Sequence, residues 1–294
     1  MTTASNVFTA DLITLVDRLV LLNHHQFFVA AQFEQAKGKA DELLAKIVKI
    51  GGDQDDVFYG STLSMIDVFH DGKYIIRSPT RGLSTVGNDV LPMIDEAERQ
   101  FSAFVVVQLF ERTEEFLKAV YGKMLGQIGD TMSLAELPAF QRAMKGWNGV
   151  PGSQDYYERY SGFVWRQKPN AAFADFQSQL AWEKAIIIGY LDMTYPELIQ
   201  ALGCCRHCIV HNQGHPETSK MAKLNKVQTA FVESWLHESV HKKDPLILPT
   251  TKDVDKCFDE VVTYARSLYV LLSERCRMAD DSPYFKKGGA KPVD

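Results

Sequence analysis

Thr194-Tyr195-Pro196-Glu197-Leu198-Ile199-Gln200-Ala201-Leu202-Gly203-Cys204-Cys205-Arg206-His207-Cys208-Ile209-Val210-His211-Asn212-Gln213-Gly214 is the most sharply bounded segment of the chain. Thr194 with Glu197 three residues on forms a capping box, in which two otherwise orphaned backbone donors are satisfied reciprocally. Pro196 falls in the first turn, where a missing amide donor costs nothing. Gly214, followed by Pro216, supplies the stop, so the spacing predicts a helix from Tyr195 to Gln213. Leu198, Leu202, Cys205 and Ile209 share one face as a core stripe. Gln200, Cys204, His207 and His211, spaced four, three and four apart, line the opposite face. Arg206 lies to the side, roughly 140° round the helix from His211 at about 100° per residue, so its length or a break near the C-terminal end of the helix is needed to bring the two together.

Outward from this helix the pattern stays helical. Phe8 to Ile50 contains no proline and one glycine, Gly38, and Leu12, Val16, Leu19, Phe27, Leu43, Leu44 and Ile47 recur at helical spacing. That predicts one long helix, or a helical hairpin broken near Gly38, stopped by Gly51-Gly52. Ile66-Asp67-Val68-Phe69 and Lys73-Tyr74-Ile75-Ile76 flank His70-Asp71-Gly72, the signature of a tight β-hairpin. A loop over Ser78 to Gly82 leads to a helix from about Pro92 to Leu125, with Phe101, Phe104, Val105, Phe116, Leu117, Val120, Tyr121 and Met124 on its inward stripe. Ser133 with Glu136 caps a short helix, and Gly146 to Gly152 reads as loop. The aromatics from Tyr156 to Trp165 show no clean period. Helices are expected at Ala171 to Tyr190, Ser219 to His241 and Val254 to Arg275, with a frayed tail beyond. The fold class is all-α: a helical bundle over residues 91–278, preceded at 1–90 by a helical region with a small β-hairpin and followed by a flexible tail at 279–294.

Composition narrows the setting. A hydrophobic content of 46% builds a sizeable core, and a net charge of -5 argues against coating nucleic acid non-specifically, since that requires accumulated Lys and Arg. Any RNA contact must be local. Five cysteines, three of them crowded at Cys204, Cys205 and Cys208, do not form a disulfide framework and fit a reducing, cytoplasmic setting. The polar start shows no signal peptide, and the apolar run from Leu12 to Leu22 is interrupted by Asp17 and Arg18 and is too short to span a bilayer. A soluble protein without a membrane partner is expected.

Three chemistries compete for the cluster. Cys204 and Cys208 with His207 or His211 have spacings that let side chains share an ion, but one helix does not close a tetrahedral site, and Cys257 and Cys276 are isolated in sequence. Alternatively, Cys205 and Cys208 are small core residues, the histidines are surface groups and Arg206 packs or pairs. The third reading is RNA cleavage without a metal or other cofactor. Transesterification needs a proton taken from the ribose 2′-hydroxyl, a cation at the phosphate and a proton for the leaving 5′-oxygen. Histidine suits the proton roles and the permanently charged Arg fork suits the phosphate.

Arg206-His207-Cys208-Ile209-Val210-His211-Asn212 resembles the signature of the HEPN family: an Arg, a polar residue, three further positions and a His, in a Val-His-Asn-like ending. The resemblance covers roughly the C-terminal 60% of the chain, from about Asp95 to Arg277. It implies a four- or five-helix bundle acting as a homodimer that brings two motifs into one cleft. It further implies Arg206 on the scissile phosphate, His211 in proton transfer, His207 at the polar position and Asn212 orienting the site, with 2′,3′-cyclic phosphate and 5′-hydroxyl products. Many members act as toxins or in antiviral defence, some under a nucleotidyltransferase partner. The tyrosine of that partner-modified branch is absent here, where Gln213, Gly214 and His215 follow.

Lys220, Lys223 and Lys226 fall on one side of the expected following helix and are candidates to guide an RNA backbone, or else form a solvated charged face. Glu111, Glu114 and Glu115 are candidate partners for Arg206. His24-His25 and His237 with His241 lack an accompanying constellation and are read as non-catalytic. The leading expectation is a metal-independent endoribonuclease. The alternatives are a HEPN-like module that binds RNA, a nucleotide or a regulatory protein without cutting, and a helical scaffold.

Overall fold

The computed structural model describes residues 6–51, 58–61, 65–68, 74–77, 83–128, 144–150, 152–167, 187–188, 193–239 and 244–282, and these are mostly helical. Helix α1 (Thr9–Lys49) runs unbroken through Gly38, so the alternative of a hairpin at that glycine does not hold. Leu12, Leu15, Val16, Leu19, Ala40 and Leu44 are its buried side, whereas Phe27 and Leu43, which share the apolar spacing, are exposed. Charged ties fix its direction. Asp11 binds Lys123 at 2.6 Å and Lys37 binds Glu98 at 2.6 Å, so α1 lies antiparallel to the long helix that follows.

Between the two, strands β1 (Phe58–Ser61), β2 (Met65–Val68), β3 (Tyr74–Arg77) and β4 (Leu83–Val86) pair antiparallel in a nested order, β2 with β3 inside β1 with β4. Val68 stands opposite Tyr74. The His70-Asp71-Gly72 turn, the Ser78 to Gly82 loop and the helix expected after Ser133 lie outside the described residues.

Helix α2 (Gly87–Ile128) starts a turn earlier than Pro92. Val105, Val106, Leu109, Phe116, Leu117, Val120, Tyr121 and Met124 are buried, as their spacing requires. Phe104 is not: it is 53% exposed, against the expectation that it belongs to the inward stripe. Its register explains this, since residues 104, 108, 111 and 115 (Phe, Gln, Glu, Glu) recur at four, three and four and form the outward stripe. Helix α3 (Gln154–Gln167) covers the stretch without a clean aromatic period. Tyr157, Tyr160 and Trp165 are buried at helical spacing, while Tyr156 packs on Trp147 outside that stripe, at 5.8 Å between ring centroids, and so blurs the pattern.

Most of the helix expected at Ala171 to Tyr190 lies outside the described residues, and at its end Ile187–Ile188 is strand β5, paired with β6 (Met193–Thr194). Helix α4 (Tyr195–His211) follows directly. The single helix expected over Ser219 to His241 is instead α5 (Thr218–Met221), α6 (Lys226–Glu233) and strand β7 (Leu236–His237), which pairs with β8 (Leu246–Ile247). A second capping box causes the break: Asn225 accepts from Gln228 N and donates its own backbone N–H to Gln228 Oε1, both at 2.9 Å. Helix α7 (Thr251–Arg275) is the last helix among the described residues, capped by Thr250 with Asp253.

One apolar cluster runs through these elements, from Phe8 and Leu12 on α1 through Leu109, Leu117 and Trp165 to Leu202 on α4 and Leu272 on α7. Helix α1 thus shares its core with the helix that carries His207 and His211. Among the described residues no helix is long and apolar enough to cross a membrane. The two kinds of apolar position on α1 separate on substitution. Leu12→Ala, at a fully buried site, is expected to cost about 2–5 kcal/mol by urea denaturation, whereas Phe27→Ala should stay within about 0.5 kcal/mol of the parent.

Candidate active site

Helix α4 is held at both ends by contacts its own sequence specifies. Thr194 Oγ1 accepts from Glu197 N at 3.4 Å, and Glu197 Oε2 accepts from Thr194 N at 2.7 Å. That backbone bond, with further bonds from Thr194 and Asn225 side chains, holds the Glu197 carboxyl below its usual range. Asn225 Nδ2 reaches Glu197 Oε1 at 2.6 Å and Gln228 Nε2 reaches Glu197 O at 2.8 Å, joining the start of α6 to the start of α4. Tyr195 packs on Tyr264 of α7 with ring centroids 5.2 Å apart.

At the other end Asn212 caps the helix, Gln213 takes φ +53° and Gly214 φ +88°, and Gly214 N donates to Cys208 O at 3.0 Å. This is the wide hydrogen-bonded reversal by which helices end on left-handed residues. It throws the chain back along α4. Asn212 Nδ2 donates to His215 O at 2.8 Å, so this side chain braces the turn.

The reversal covers part of the face predicted to carry Gln200, Cys204, His207 and His211. Gln200 accepts from Gln228 at 3.2 Å, and Cys204 is buried with Met221 Sδ 3.9 Å from its sulfur. His207 Nε2 lies 2.8 Å from Glu217 Oε2. His211, on the last turn, stays exposed, its ring 4.9 Å from that of His207. Cys208 is fully buried and its sulfur accepts bonds from Cys204 and from the Glu217 backbone, which hold its thiol below the usual range. The same pairing, with burial, pushes Cys204 up. Among the described residues no three of His, Cys, Asp and Glu come together to hold a metal ion.

Arg206 reaches across α4 rather than waiting for a second subunit. Its Nη1 lies 3.2 Å from His211 Nε2, and its Nη2 lies 3.2 Å from Glu111 Oε1 on α2. The angular gap between positions 206 and 211 is closed within one chain by the length of the Arg side chain, without a break in the helix. Gly203 permits this approach: a Cβ there would sit 3.1 Å from the Phe110 ring, so its absence lets α4 settle on α2 with Arg206 level with Glu111.

Donor chemistry then assigns protons. Arginine carries only donors, so His211 Nε2 accepts in this contact and offers a lone pair. The Glu217 carboxylate, held below its usual range by bonds from Ser219 and His207, only accepts, so His207 Nε2 carries a hydrogen. Two neighbouring rings therefore hold opposite proton roles. Glu217 is absent from the sequence reading because it stands ten residues from His207, and only the reversal at Gly214 brings them together.

The lysines do not form one stripe. Lys220 lies on α5, Lys223 follows it and Lys226 opens α6, because the capping box at Asn225 divides the expected helix. Comparison with models of protein families, with curated proteins and with solved structures finds no match.

The anchoring of α4 has a pH signature. Burial first, then the Glu260 carboxylate, pushes the Tyr195 phenol up to about 12 from its ordinary 10.0. A proton held more tightly in the folded state stabilises fully below about pH 10, and that contribution fades as pH rises through about 12. An ultraviolet difference titration of the parent against Tyr195→Phe should show the missing phenolate forming near pH 12 rather than pH 10.

Proposed function

We propose that the chain is a metal-independent endoribonuclease of the HEPN type, with Arg206, His207 and His211 as its reacting groups. The observation that carries this reading is the Arg206–His211 contact at 3.2 Å on the exposed side of α4. A ribose 2′-hydroxyl that takes the place of Arg206 at His211 Nε2 gives its proton to that nitrogen, its oxygen attacks the adjoining phosphorus, and the bond from phosphorus to the 5′-oxygen breaks. Arg206 offsets the charge gathering on the phosphate oxygens. His207, carrying hydrogens on both ring nitrogens, gives one to the leaving 5′-oxygen, and the proton that His211 has taken balances it. The products are a 2′,3′-cyclic phosphate and a 5′-hydroxyl, so atoms balance without water or a cofactor in this step. Asn212 supports the site by bracing the turn, and Lys220, Lys223 and Lys226 follow along the same return segment as contacts for the RNA backbone. A homodimer, a regulatory protein partner and a role as toxin or in antiviral defence belong to the same reading.

The test is incubation of RNA with the protein in excess EDTA and analysis of fragment ends. Cleavage leaving cyclic phosphates is expected, with His211→Ala and Arg206→Ala each reducing the rate by roughly 100-fold or more at unchanged melting temperature. RNA left intact by the parent protein in every condition overturns the reading.

A second reading, RNA binding without cutting, is favoured by one observation: the Glu111 carboxylate already occupies Arg206. Glu111→Gln removes that competing anion, and both readings expect RNA to bind several-fold more tightly. They part on the product: a nuclease variant still cuts, and a binding module yields tight complexes with intact RNA.

A further inference from the structure

Beside the Arg206–His211 pair the surface turns apolar. Phe104 on the outward stripe of α2 is 53% exposed and Val210 on α4 is 46% exposed. Their placement follows from the packing of the two helices. Phe110 lies against Gly203, and Ala103 shares a small cluster with Leu246, Leu248 and Ile209, so the helices run antiparallel and residue 104 comes level with the last turn of α4. Phe104 and Glu111 are seven residues apart and share a face. The ring therefore stands about 10 Å along α2 from the carboxylate that touches Arg206. Val210 is one turn beyond Arg206 on the same side of α4. Phe101 backs the exposed ring, with centroids 6.3 Å apart.

We infer that Phe104 is a stacking platform for an unpaired nucleobase, placed so that the phosphate of the adjoining nucleotide reaches Arg206. The inference rests on the ribonuclease or RNA-binding reading above and adds to it a residue that holds the base. In an A-form duplex the bases are stacked on each other and leave no free face for a protein ring. An exposed Phe beside a cation is the pairing that holds a splayed base and its backbone together. Size favours this occupant over a second subunit. Half of one phenylalanine and half of one valine amount to roughly 150–200 Å², whereas a stable interface buries about 800 Å² per partner. A base covers the first area and leaves nothing over.

The experiment measures binding of the full chain to a fluorescent single-stranded RNA with 2′-O-methyl groups, which blocks the attacking oxygen, and to the duplex of the same sequence. The parent is expected to prefer the single strand, Phe104→Ala and Phe104→Leu to lose roughly tenfold in affinity, and Phe104→Trp to keep it. The added tryptophan should also be quenched by a bound purine, above the background of the four native ones. Phe104 is half exposed, so these variants keep the fold, which their melting temperatures check. Parent-like binding by Phe104→Ala while Arg206→Ala binds poorly overturns the platform and leaves the RNA reading standing. Absence of RNA binding by the parent and by Glu111→Gln overturns both. A parent that self-associates in sedimentation, with Phe104→Ala monomeric, assigns the ring to a subunit contact and overturns the platform as well.

Discussion

Two successive left-handed residues, Gln213 and Gly214, turn the chain back along helix α4, and the arrangement around the histidines depends on that turn. Everything that lands on the outer face of α4 arrives through it: Glu217 against His207, Met221 against Cys204, and Gln228 against Gln200. Gly214 also binds outward, its carbonyl accepting from Ile247 N at 2.9 Å, which ties the turn to the strand pair ahead of α7. A side chain at position 214 would have to adopt a backbone conformation that L-residues rarely take, close to Leu246. The two rings keep their complementary proton states because the reversal delivers a carboxylate to one of them and leaves the other to Arg206.

Charge at the site is balanced rather than accumulated. Arg206 is shared between Glu111 and His211, and His207 is matched by Glu217, so each basic group has a neighbour that orients it. An acidic chain, with a net charge of -5, can present a phosphate-binding group only in this local manner. The half-exposed position of the Arg206–Glu111 pair keeps its strength modest, since water competes for both partners. In the proposed reaction, an incoming phosphate would therefore displace the carboxylate at low cost.

Much of α4 was legible from its residues because its signals are local. Thr194, Glu197 and Pro196 mark one end and Gly214 the other, and the helix runs from Tyr195 to His211. For α1 the stretch without proline leaves two readings, one long helix or a hairpin at Gly38, and only the structure decides for the continuous helix. Phe104 was misjudged because apolar character was read ahead of register: its neighbours at 108, 111 and 115 are polar and place it outward. The helix expected across 219 to 241 was misjudged because Asn225 and Gln228 look ordinary until their reciprocal bonds are seen. The Glu217–His207 pair was out of reach altogether, since contact across a chain reversal leaves no periodic trace. Glu111 was nameable as a partner for Arg206 but not distinguishable from Glu114 or Glu115; the close fit of Gly203 on Phe110 decides it.

The first and last described helices are laced together. Asn6 Nδ2 donates to Ser273 Oγ at 2.6 Å and to Ala279 O at 2.9 Å, and Thr9 meets both Tyr269 and Asp281. These bonds join positions up to 273 residues apart. On a ribosome, α1 emerges long before its partner exists, so its apolar side must wait, shielded by chaperones or by α2 alone, until α7 has left the exit tunnel. Closure of the bundle thus waits on α7, and whatever depends on a settled α4 is acquired only after that helix has been made.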